Sequence, residues 1–303
     1  MVRVIVPTLN AATYWPRFAP ALLACVRADQ VLIVDSSSTD GTPDFARQAG
    51  FQLISINRTD FNHGGTRQMA VEMLTDAEIL VFLTQDAVLT DPQSIAKLVK
   101  AFDDPTVGVA YGRQLPKQGA GAIEAHARLF NYPQTAEVRD LSCRKRLGYK
   151  AVFVSNSFSA YRRSALMAIG GFRSAVILSE DTLAAANMLI AGWKIAYAAD
   201  ARVYHSHSYT WLQEFKRYFD IGVLHSREQW LLNRFGRTSG EGRRFVISEF
   251  AFLLDHAPWQ IPSAVMRTGL KLFAYRLGRM ENWLTPEVKR HLSMHHQFWT
   301  EHA

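Results

Sequence analysis

The sequence predicts an α/β protein in which a mostly parallel sheet is flanked by helices and followed by a helical C-terminal region. Strand-like and helix-like segments alternate through the first half of the chain, which is the rhythm of βαβ units. The strand-like segments include uninterrupted apolar runs such as residues 79–83, as expected of strands buried on both faces. Beyond Trp211 the only periodicity is helical.

The expected elements can be read in chain order from apolar runs and turn residues. The predicted strands are VRVIVPT, QVLIVD, FQLISI, ILVFLT and VGVAYG, with one or two more in KIAYAADARVYHSHS. The predicted helices of the first half lie near Tyr14 to Ala28, after STDGTP, and near Thr66 to Met73. The glycine-rich RQLPKQGAGA is expected to be a loop, and KAVFVSNSFSAYRRSAL a strand, a turn and the start of a helix.

Composition places the chain among ordinary globular proteins. Of its 303 residues, 48% are hydrophobic and 20% are charged, which argues against disorder. There is no run of 18 uncharged apolar residues and no secretory leader, so we expect a cytoplasmic protein. Cys25 and Cys143 are too few and too unpatterned for a disulfide framework or a zinc site.

The net charge of +7 and the pI of about 9.5 suggest an anionic partner. That partner could be nucleic acid, a phosphorylated substrate or an anionic membrane. The first 210 residues show no concentrated basic stripe and no RRM or helix-turn-helix signature, so nucleic-acid binding is the weaker alternative.

Two common nucleotide-binding motifs are absent from the sequence. A dinucleotide-binding fold would have a glycine-rich turn directly after its first strand, but VIVPTLNAATYW contains no glycine. The chain also lacks a GxxxxGK[ST] phosphate loop.

Polar residues stand where the predicted strands end, and ligands of open α/β sheets gather at the carboxyl ends of strands. Asp35 ends the second strand, and its carboxylate could accept a hydrogen bond from a ribose hydroxyl or a base N–H. Thr39 or Asp40 could instead cap the following helix. The predicted ligand contacts at these ends are Pro7, Thr8, Asn10, Asp35, Gln85 and Asp86.

Six segments in order resemble the inverting family-2 glycosyltransferases of the nucleotide-sugar-binding GT-A fold. They are VIVPTLN, VLIVDSSSTDGT, NHGGTRQMA, VFLTQDA, NSFSAYRRSALMAIGGF and SEDTLAAANMLIAGWKIAYAADARVYHSH. NRTDFNHGGTRQMA together with TQDA is similar to bacterial rhamnosyltransferases that use dTDP-L-rhamnose. The resemblance implies a catalytic domain over residues 1–210, in which the strand-end contacts named above bind the donor. The helical periodicity beyond it indicates a separate helical region over residues 211–303. A UDP-hexose is the alternative donor.

The resemblance implies a metal site beside Asp86. Family members usually carry Asp-x-Asp at this strand end, but Thr84 replaces the first acid here. Mg²⁺ commonly takes one or two carboxylates, so one aspartate can suffice. His205 or His207 is the implied second ligand, and imidazole suits Mn²⁺ better than Mg²⁺.

The family's catalytic base corresponds to Asp181, with Glu180 orienting it or contacting the acceptor. One carboxylate can deprotonate the attacking hydroxyl. The alternative is that both acids only cap the helix that they begin. A glycoside hydrolase pair is excluded because adjacent helical residues point about 100° apart.

Further ligand contacts are predicted at three residues. Arg67 could hold the donor phosphate or base, with Gly64 and Gly65 letting the backbone approach a ligand, or it could be an ordinary surface arginine. Asn156 and Ser157 could contact acceptor hydroxyls, or simply end a strand.

The C-terminal region combines basic and aromatic residues at helical spacing. Helices of this kind can lie on an anionic membrane, and the same pattern can pack a core. The family's acceptors are often lipid-linked sugars, so the faces around Tyr218 and Trp230, and the run AVMRTGLKLFAYRLGRM, are candidates for contact with the inner face of the cell membrane.

Overall fold

The computed structural model describes residues 1–236 and 240–301. Its described part contains one nine-stranded mixed sheet. The strands are β1 (Val2–Thr8), β2 (Val31–Asp35), β3 (Gln52–Ser55), β4 (Ile79–Leu83), β5 (Val88–Leu89), β6 (Val107–Leu115), β7 (Glu137–Arg139), β8 (Phe158–Arg162) and β9 (Lys194–Tyr204).

Helices flank this sheet and make up the C-terminal region. Those before Trp211 are α1 (Trp15–Leu23), α2 (Thr42–Gln48), α3 (His63–Met73), α4 (Ser94–Val99), α5 (Ala122–Asn131), α6 (Arg144–Leu147), α7 (Arg163–Ala168) and α8 (Glu180–Ile190). Those that follow are α9 (Trp211–Arg227), α10 (Gln229–Phe235), α11 (Glu241–His256), α12 (Ile261–Arg279), α13 (Pro286–Leu292) and α14 (Phe298–Glu301).

The sheet runs in the order β3-β2-β1-β4-β8-β6-β9-β5, and β7 pairs with β9. The first four strands in this order are parallel, and β6 and β9 are also parallel. The inserted strand β8 is antiparallel to both of its neighbours. The α/β class with flanking helices is confirmed, and the carboxyl ends of β1, β2 and β4 lie at one edge.

Two predicted segments differ from the structure. KAVFV does not form a strand, because residues 148–152 form a short 3₁₀ helix and the strand is β8, formed by FSAYR. The first three residues of the expected loop RQLPKQGAGA continue β6 to Leu115. In both places pairing with neighbouring strands overrides the local pattern. Strand β8 is buried between β4 and β6, and the end of β6 pairs with β9.

Apolar side chains pack on both faces of the sheet. Alternate residues of β1 illustrate this, since Ile5 joins one buried cluster and Val4 and Val6 join the other. The cluster that contains Ile5 also takes in Phe219 and Val223 of α9 and Trp299 of α14. The C-terminal helices therefore share a core with the sheet.

Helices α9 and α12 approach each other closely at two glycines. A Cβ at Gly278 would lie 2.0 Å from the carbonyl oxygen of Phe219, and a Cβ at Gly222 would lie 2.3 Å from that of Tyr275. Only glycine allows these backbones to come so near.

The outward faces of α11 and α12 are apolar. Val246, Ile247, Phe250 and Leu254 are exposed on α11. On α12 and its flanks the exposed residues are Trp259, Val265, Met266, Leu272, Phe273 and Met280, with Trp259 74% exposed. We call these ten residues the outer apolar face. By contrast, Tyr218 and Trp230 pack against the core, which is one of the two alternatives that the sequence leaves open for them.

No helix among residues 1–236 and 240–301 has the length and apolar content needed to cross a bilayer. Cys25 and Cys143 are free thiols, as their spacing predicts.

Candidate active site

Three chain segments meet at the carboxyl end of β4. Strand β5 begins at Val88 and pairs antiparallel with the end of β9, so that Val88 lies opposite Tyr204. Residues just before β5 therefore lie beside residues just after β9. On the other side, Leu83 lies opposite Phe158, which brings residues 156 and 157 next to the same strand end.

This pairing brings Asp86, His205 and His207 together. Asp86 Oδ2 lies 3.4 Å from His205 Nε2 and 3.7 Å from His207 Nδ1. One ligand atom from each residue fits within 4.8 Å of the others, which suits a single metal ion. The set of two imidazole nitrogens and one carboxylate oxygen favours Mn²⁺ over Mg²⁺.

Gln114 fixes the orientation of His205. Arg128 Nη1 donates a 2.6 Å hydrogen bond to Gln114 Oε1, which identifies that atom as the amide oxygen. His205 Nδ1 lies 2.9 Å from the same oxygen, so in the neutral ring the hydrogen is on Nδ1. The lone pair of Nε2 then faces Asp86, as a metal ligand requires.

The protonation states of these residues also suit a cation. Burial would raise the pKa of Asp86, but when the imidazoles carry a second proton, the hydrogen bond from His205 and the charges of His205 and His207 lower it well below its usual range. Burial and the neighbouring His205 lower the pKa of His207 to about 4. At neutral pH, Asp86 is therefore ionised and His207 is neutral.

Asp181 and Glu180 begin α8 beside this cluster. Ser179, just before them, has a φ of 63°, which is uncommon for a residue with a side chain. Asp181 Oδ2 accepts a 3.0 Å hydrogen bond from the backbone N–H of Asn156, and Oδ1 accepts one of 2.7 Å from Thr182 N. Burial and the charge of Glu180 raise the pKa of Asp181 to about 7.

Glu180 is held in a buried network. Its Oε1 accepts from Asn156 Nδ2 at 2.9 Å and pairs with Arg67 Nη1 at 3.1 Å. Asn156 Oδ1 in turn accepts from Ser159 Oγ and Tyr161 OH, so both the nitrogen and the oxygen of the amide are bonded. Asn156 thus contacts both acids, and its predicted acceptor contact, like that of Ser157, stays a prediction.

Arg67 is buried, at 5% exposure, so it is not a surface arginine. Besides Glu180, its Nη1 bonds the carbonyl of His63 at 2.8 Å. Gly64 allows close approach, but to the backbone of Arg173, whose oxygen a Cβ would meet at 1.8 Å. Contact of Arg67 with the donor stays a prediction.

The other predicted donor contacts cluster at the ends of β1, β2 and β4. Asp35 is buried and accepts from Thr8 Oγ1 at 3.0 Å and from Ser38 N at 2.9 Å. The Gln85 amide bonds both the N–H and the carbonyl of Leu9. Asn10 Oδ1 accepts from Thr39 N at 2.9 Å, next to Pro7 and Thr8. These bonds order two loops, and donor binding there stays a prediction.

Asp40, one of the two residues expected to cap the second helix, accepts from the N–H of Thr42, the first residue of α2.

A cavity of about 960 Å³ opens beside Asp181. Ligand sites of this size are common in enzymes. Its walls come from both parts of the chain, since α8 supplies Asp181 while α9, α11 and α12 supply the far side. Arg67, Asn156, Ser157, Glu180, His205 and His207 also line it. A second cavity, lined by Arg17, Asp86 and Lys117, shares His207 with the first, so the Asp86–His cluster lies between them.

Several lining residues were missed from the sequence. The sequence predicts a loop at Gln114, but this residue lies at the end of β6, which pairs with β9 next to the VYHSH segment. A polar residue at the end of a strand is the signal that would identify it. Glu249 of α11 and His295, which lies between α13 and α14, also line the cavity, but no motif marks either residue. Only the tertiary packing reveals them.

Comparison with known proteins identifies similar sequences and structures. The family model described as Glycosyl transferase family 2 matches residues 3–170. The chain is 43% identical to the O-antigen chain rhamnosyltransferase RfbN of Salmonella typhimurium, over 98% of this chain and 96% of that protein. It is 44% identical to the O-antigen chain rhamnosyltransferase WbaN of Salmonella anatum, over 97% and 94%.

Among solved structures, the chain resembles the mannosyltransferase PcManGT from Pyrobaculum calidifontis in complex with GDP-Man and Mn²⁺. The TM-score is 0.64 at 19% identity, and the match covers 93% of this chain and 87% of that one. This likeness confirms the fold class predicted from the sequence.

Proposed function

The chain belongs to glycosyl transferase family 2 and is a glycosyltransferase, and from that membership we propose that it transfers L-rhamnose from dTDP-L-rhamnose, with inversion, to a sugar hydroxyl of a surface polysaccharide or lipid-linked glycan. The observation that carries the proposal is the similarity, over nearly the whole chain, to two proteins named O-antigen chain rhamnosyltransferases. Family membership also favours an enzyme over the nucleic-acid-binding alternative.

Donor binding is proposed at the edge formed by β1, β2 and β4. Pro7, Thr8, Asn10, Asp35 and Gln85 would surround the nucleoside, with Arg67 nearby. Asp86, His205 and His207 would hold a divalent cation, most readily Mn²⁺, which when bound neutralises charge on the departing nucleoside diphosphate.

Asp181 is the proposed general base. Inversion requires the acceptor hydroxyl to attack the anomeric carbon from the face opposite the diphosphate while it loses its proton. A base is most effective when its pKa lies near the working pH, and the pKa of Asp181 is raised to about 7. Its carboxylate is also fixed by the backbone of Asn156 and lines the cavity of about 960 Å³.

Glu180 is proposed to tune and position the base. It is ion-paired with Arg67 and hydrogen-bonded to Asn156, so its negative charge is fixed next to Asp181. That charge contributes to the raised pKa of Asp181.

We further propose that the protein works at the inner, cytoplasmic face of the cell membrane. The outer apolar face of α11 and α12 exposes side chains that water solvates poorly, and Arg243, Arg244 and Arg276 are exposed beside them. Apolar side chains flanked by arginines are suited to an anionic bilayer. A lipid-linked acceptor would be presented at that surface.

A transfer assay tests the function. Lipid-linked glycans extracted from cells that lack the gene for this chain should contain its unmodified acceptor. With labelled dTDP-L-rhamnose and Mn²⁺, the purified protein should move label into the lipid fraction, and NMR of the product should show inverted anomeric configuration. UDP-glucose, UDP-galactose and GDP-mannose serve as comparison donors.

Transfer from a UDP-hexose in preference to dTDP-L-rhamnose would contradict the donor assignment but keep the enzyme class. Retained configuration would contradict the role of Asp181.

A further inference from the structure

Five charged side chains from the C-terminal helices line the cavity beside Asp181; Arg217 of α9 is one, and the other four interact with one another. These four are Glu214 of α9, Glu249 of α11, and Arg267 and Lys271 of α12. All four lie beyond residue 170, where the match to the family model ends. We call them the helical charge cluster.

Both cations of the cluster are committed to one acid. Arg267 Nη1 lies 2.8 Å from Glu214 Oε2, and Lys271 Nζ lies 3.3 Å from Glu214 Oε1. Arg267 also donates to the carbonyl of Tyr209 at 3.1 Å. Glu214 is therefore compensated by two positive charges.

Glu249 is the acid of the cluster that forms no ion pair among the described residues. It is only 3% exposed, and its Oε1 has no hydrogen-bond partner among the described residues. A buried carboxylate oxygen without a donor is costly, and nearly all such atoms in folded proteins are satisfied. Because Glu249 lines the cavity, a ligand in the cavity could supply the missing donor.

The charges of the cluster indicate the kind of ligand. Arg267 and Lys271 are both paired with Glu214, so neither is free to bind a diphosphate. An uncompensated carboxylate oxygen accepts hydrogen bonds and repels anions. A neutral ligand rich in hydroxyl groups matches it best.

We propose that the helical charge cluster forms a subsite for a neutral sugar residue of the acceptor, with Glu249 accepting a hydrogen bond from a hydroxyl of that sugar. The inference rests on the proposed function, since it assigns the acceptor's side of the same cavity. Asp181 lines this cavity too, so the reacting hydroxyl and the recognised sugar would occupy one continuous space. Glu249 would determine which acceptor is used without touching the reacting atoms.

Two substitutions at Glu249 test the subsite. Glu249→Met keeps similar length but removes the acceptor atoms, and Glu249→Gln keeps one neutral acceptor. With the lipid-linked glycans from the deletion cells, the Met variant should raise the KM for acceptor about tenfold or more, and the Gln variant about fivefold, since hydrogen bonds to charged groups are the stronger ones. The KM for dTDP-L-rhamnose should stay within twofold of wild type.

Asp255→Asn is the matched control, because Asp255 is an exposed carboxylate on the same helix. It should leave both KM values unchanged. The inference is overturned if both Glu249 variants keep the wild-type KM for acceptor, or if the KM for donor rises equally. Should Glu249→Met fold poorly, as judged by its melting temperature, the Gln variant decides.

An inactive wild-type protein would count against the proposed function and not by itself against the subsite. In that case hydrogen exchange of residues 241–256 in the wild-type protein decides. Slower exchange when the same lipid extract is added supports the subsite, and no change overturns it.

Discussion

Asp181 shows how burial can raise the pKa of an aspartate to near neutrality. An aspartate in water is ionised at neutral pH, but here burial and the adjacent Glu180 raise its pKa to about 7. The carboxylate nevertheless keeps two backbone N–H donors, from Asn156 and Thr182. Asp181 is thus held by two backbone hydrogen bonds, and its pKa lies near neutrality.

Replacing Asp181 by Asn should remove transfer while preserving the fold. The amide keeps the shape but cannot accept the acceptor's proton, so kcat should fall by about 10²- to 10⁴-fold. The KM for dTDP-L-rhamnose should change little, which steady-state kinetics will measure. Transfer at close to the wild-type rate would mean that Asp181 is not the base.

The pH dependence of wild type and of Asp181→Asn should differ in two ways. Wild-type kcat/KM should rise with pH through about 7, as Asp181 loses its proton. The free energy of unfolding should change in the opposite direction. Folding raises the pKa of Asp181, so this residue stabilises the fold fully below its unfolded pKa. That contribution is lost as the pH rises through the folded pKa. The melting temperature of Asp181→Asn relative to wild type should therefore increase between pH 5 and 8. A constant difference would contradict the raised pKa.

The Asp86–His cluster should bind Mn²⁺ without any substrate. Electron paramagnetic resonance of free Mn²⁺ should detect uptake by the wild-type protein and its loss in Asp86→Ala and His207→Ala, which remove ligand atoms. His291→Ala, which changes an exposed histidine of α13, is the control. Equal uptake by all four proteins would contradict the site.

These residues differ in how far the sequence could identify them. Asp86, His205 and His207 are near one another because β5 pairs with the end of β9, and resemblance to a family was enough to link them. Glu249 could not be found that way, since a single acid in an amphipathic helix normally faces solvent. Its burial depends on how α11 packs against the rest of the molecule.

At the scale of elements, the contact between α9 and α12 organises the C-terminal region. Gly222 and Gly278 let the two helix backbones touch, and this contact fixes the position of Arg267 and Lys271 relative to Glu214. The helices themselves were predictable from periodicity. The crossing was not, because a glycine in a helical pattern does not reveal which backbone it meets.

Two glycines of α12 provide a matched test of this crossing. Gly278→Ala should lower the free energy of unfolding by about 1–3 kcal/mol or more, because the new methyl group would overlap the backbone of α9. Gly269→Ala has open space around it and should raise stability by up to about 1 kcal/mol through helix propensity. Urea denaturation will give both values. Equal effects in the two variants would contradict close packing at Gly278.

At the scale of the whole molecule, one side is apolar and basic. The outer apolar face contains two exposed stripes on neighbouring helices, and Trp283 nearby is 85% exposed. Exposed apolar surface of this extent usually marks an interaction site. The net charge of +7 would draw this side toward anionic lipid.

Flotation with vesicles tests this arrangement. The wild-type protein should float with phosphatidylglycerol-containing vesicles and less with neutral ones. The double variant Phe250→Ser, Phe273→Ser should lose most of this binding, because two large exposed side chains are removed from the outer apolar face. Met73→Ser, an exposed apolar residue of α3, should float like wild type. Equal flotation of the double variant and wild type, or none with either lipid, would contradict membrane contact.

Helices α11 and α12 present one side to the cavity and the other to the surroundings, so the cavity wall is a single layer of helices thick. On a bilayer, a glycan with a lipid tail would reach Asp181 around that layer while its tail stayed among the lipids. Encounter would then be two-dimensional. The velocity would depend on the mole fraction of acceptor in the membrane, and adding inert lipid at constant total acceptor would slow the enzyme by surface dilution.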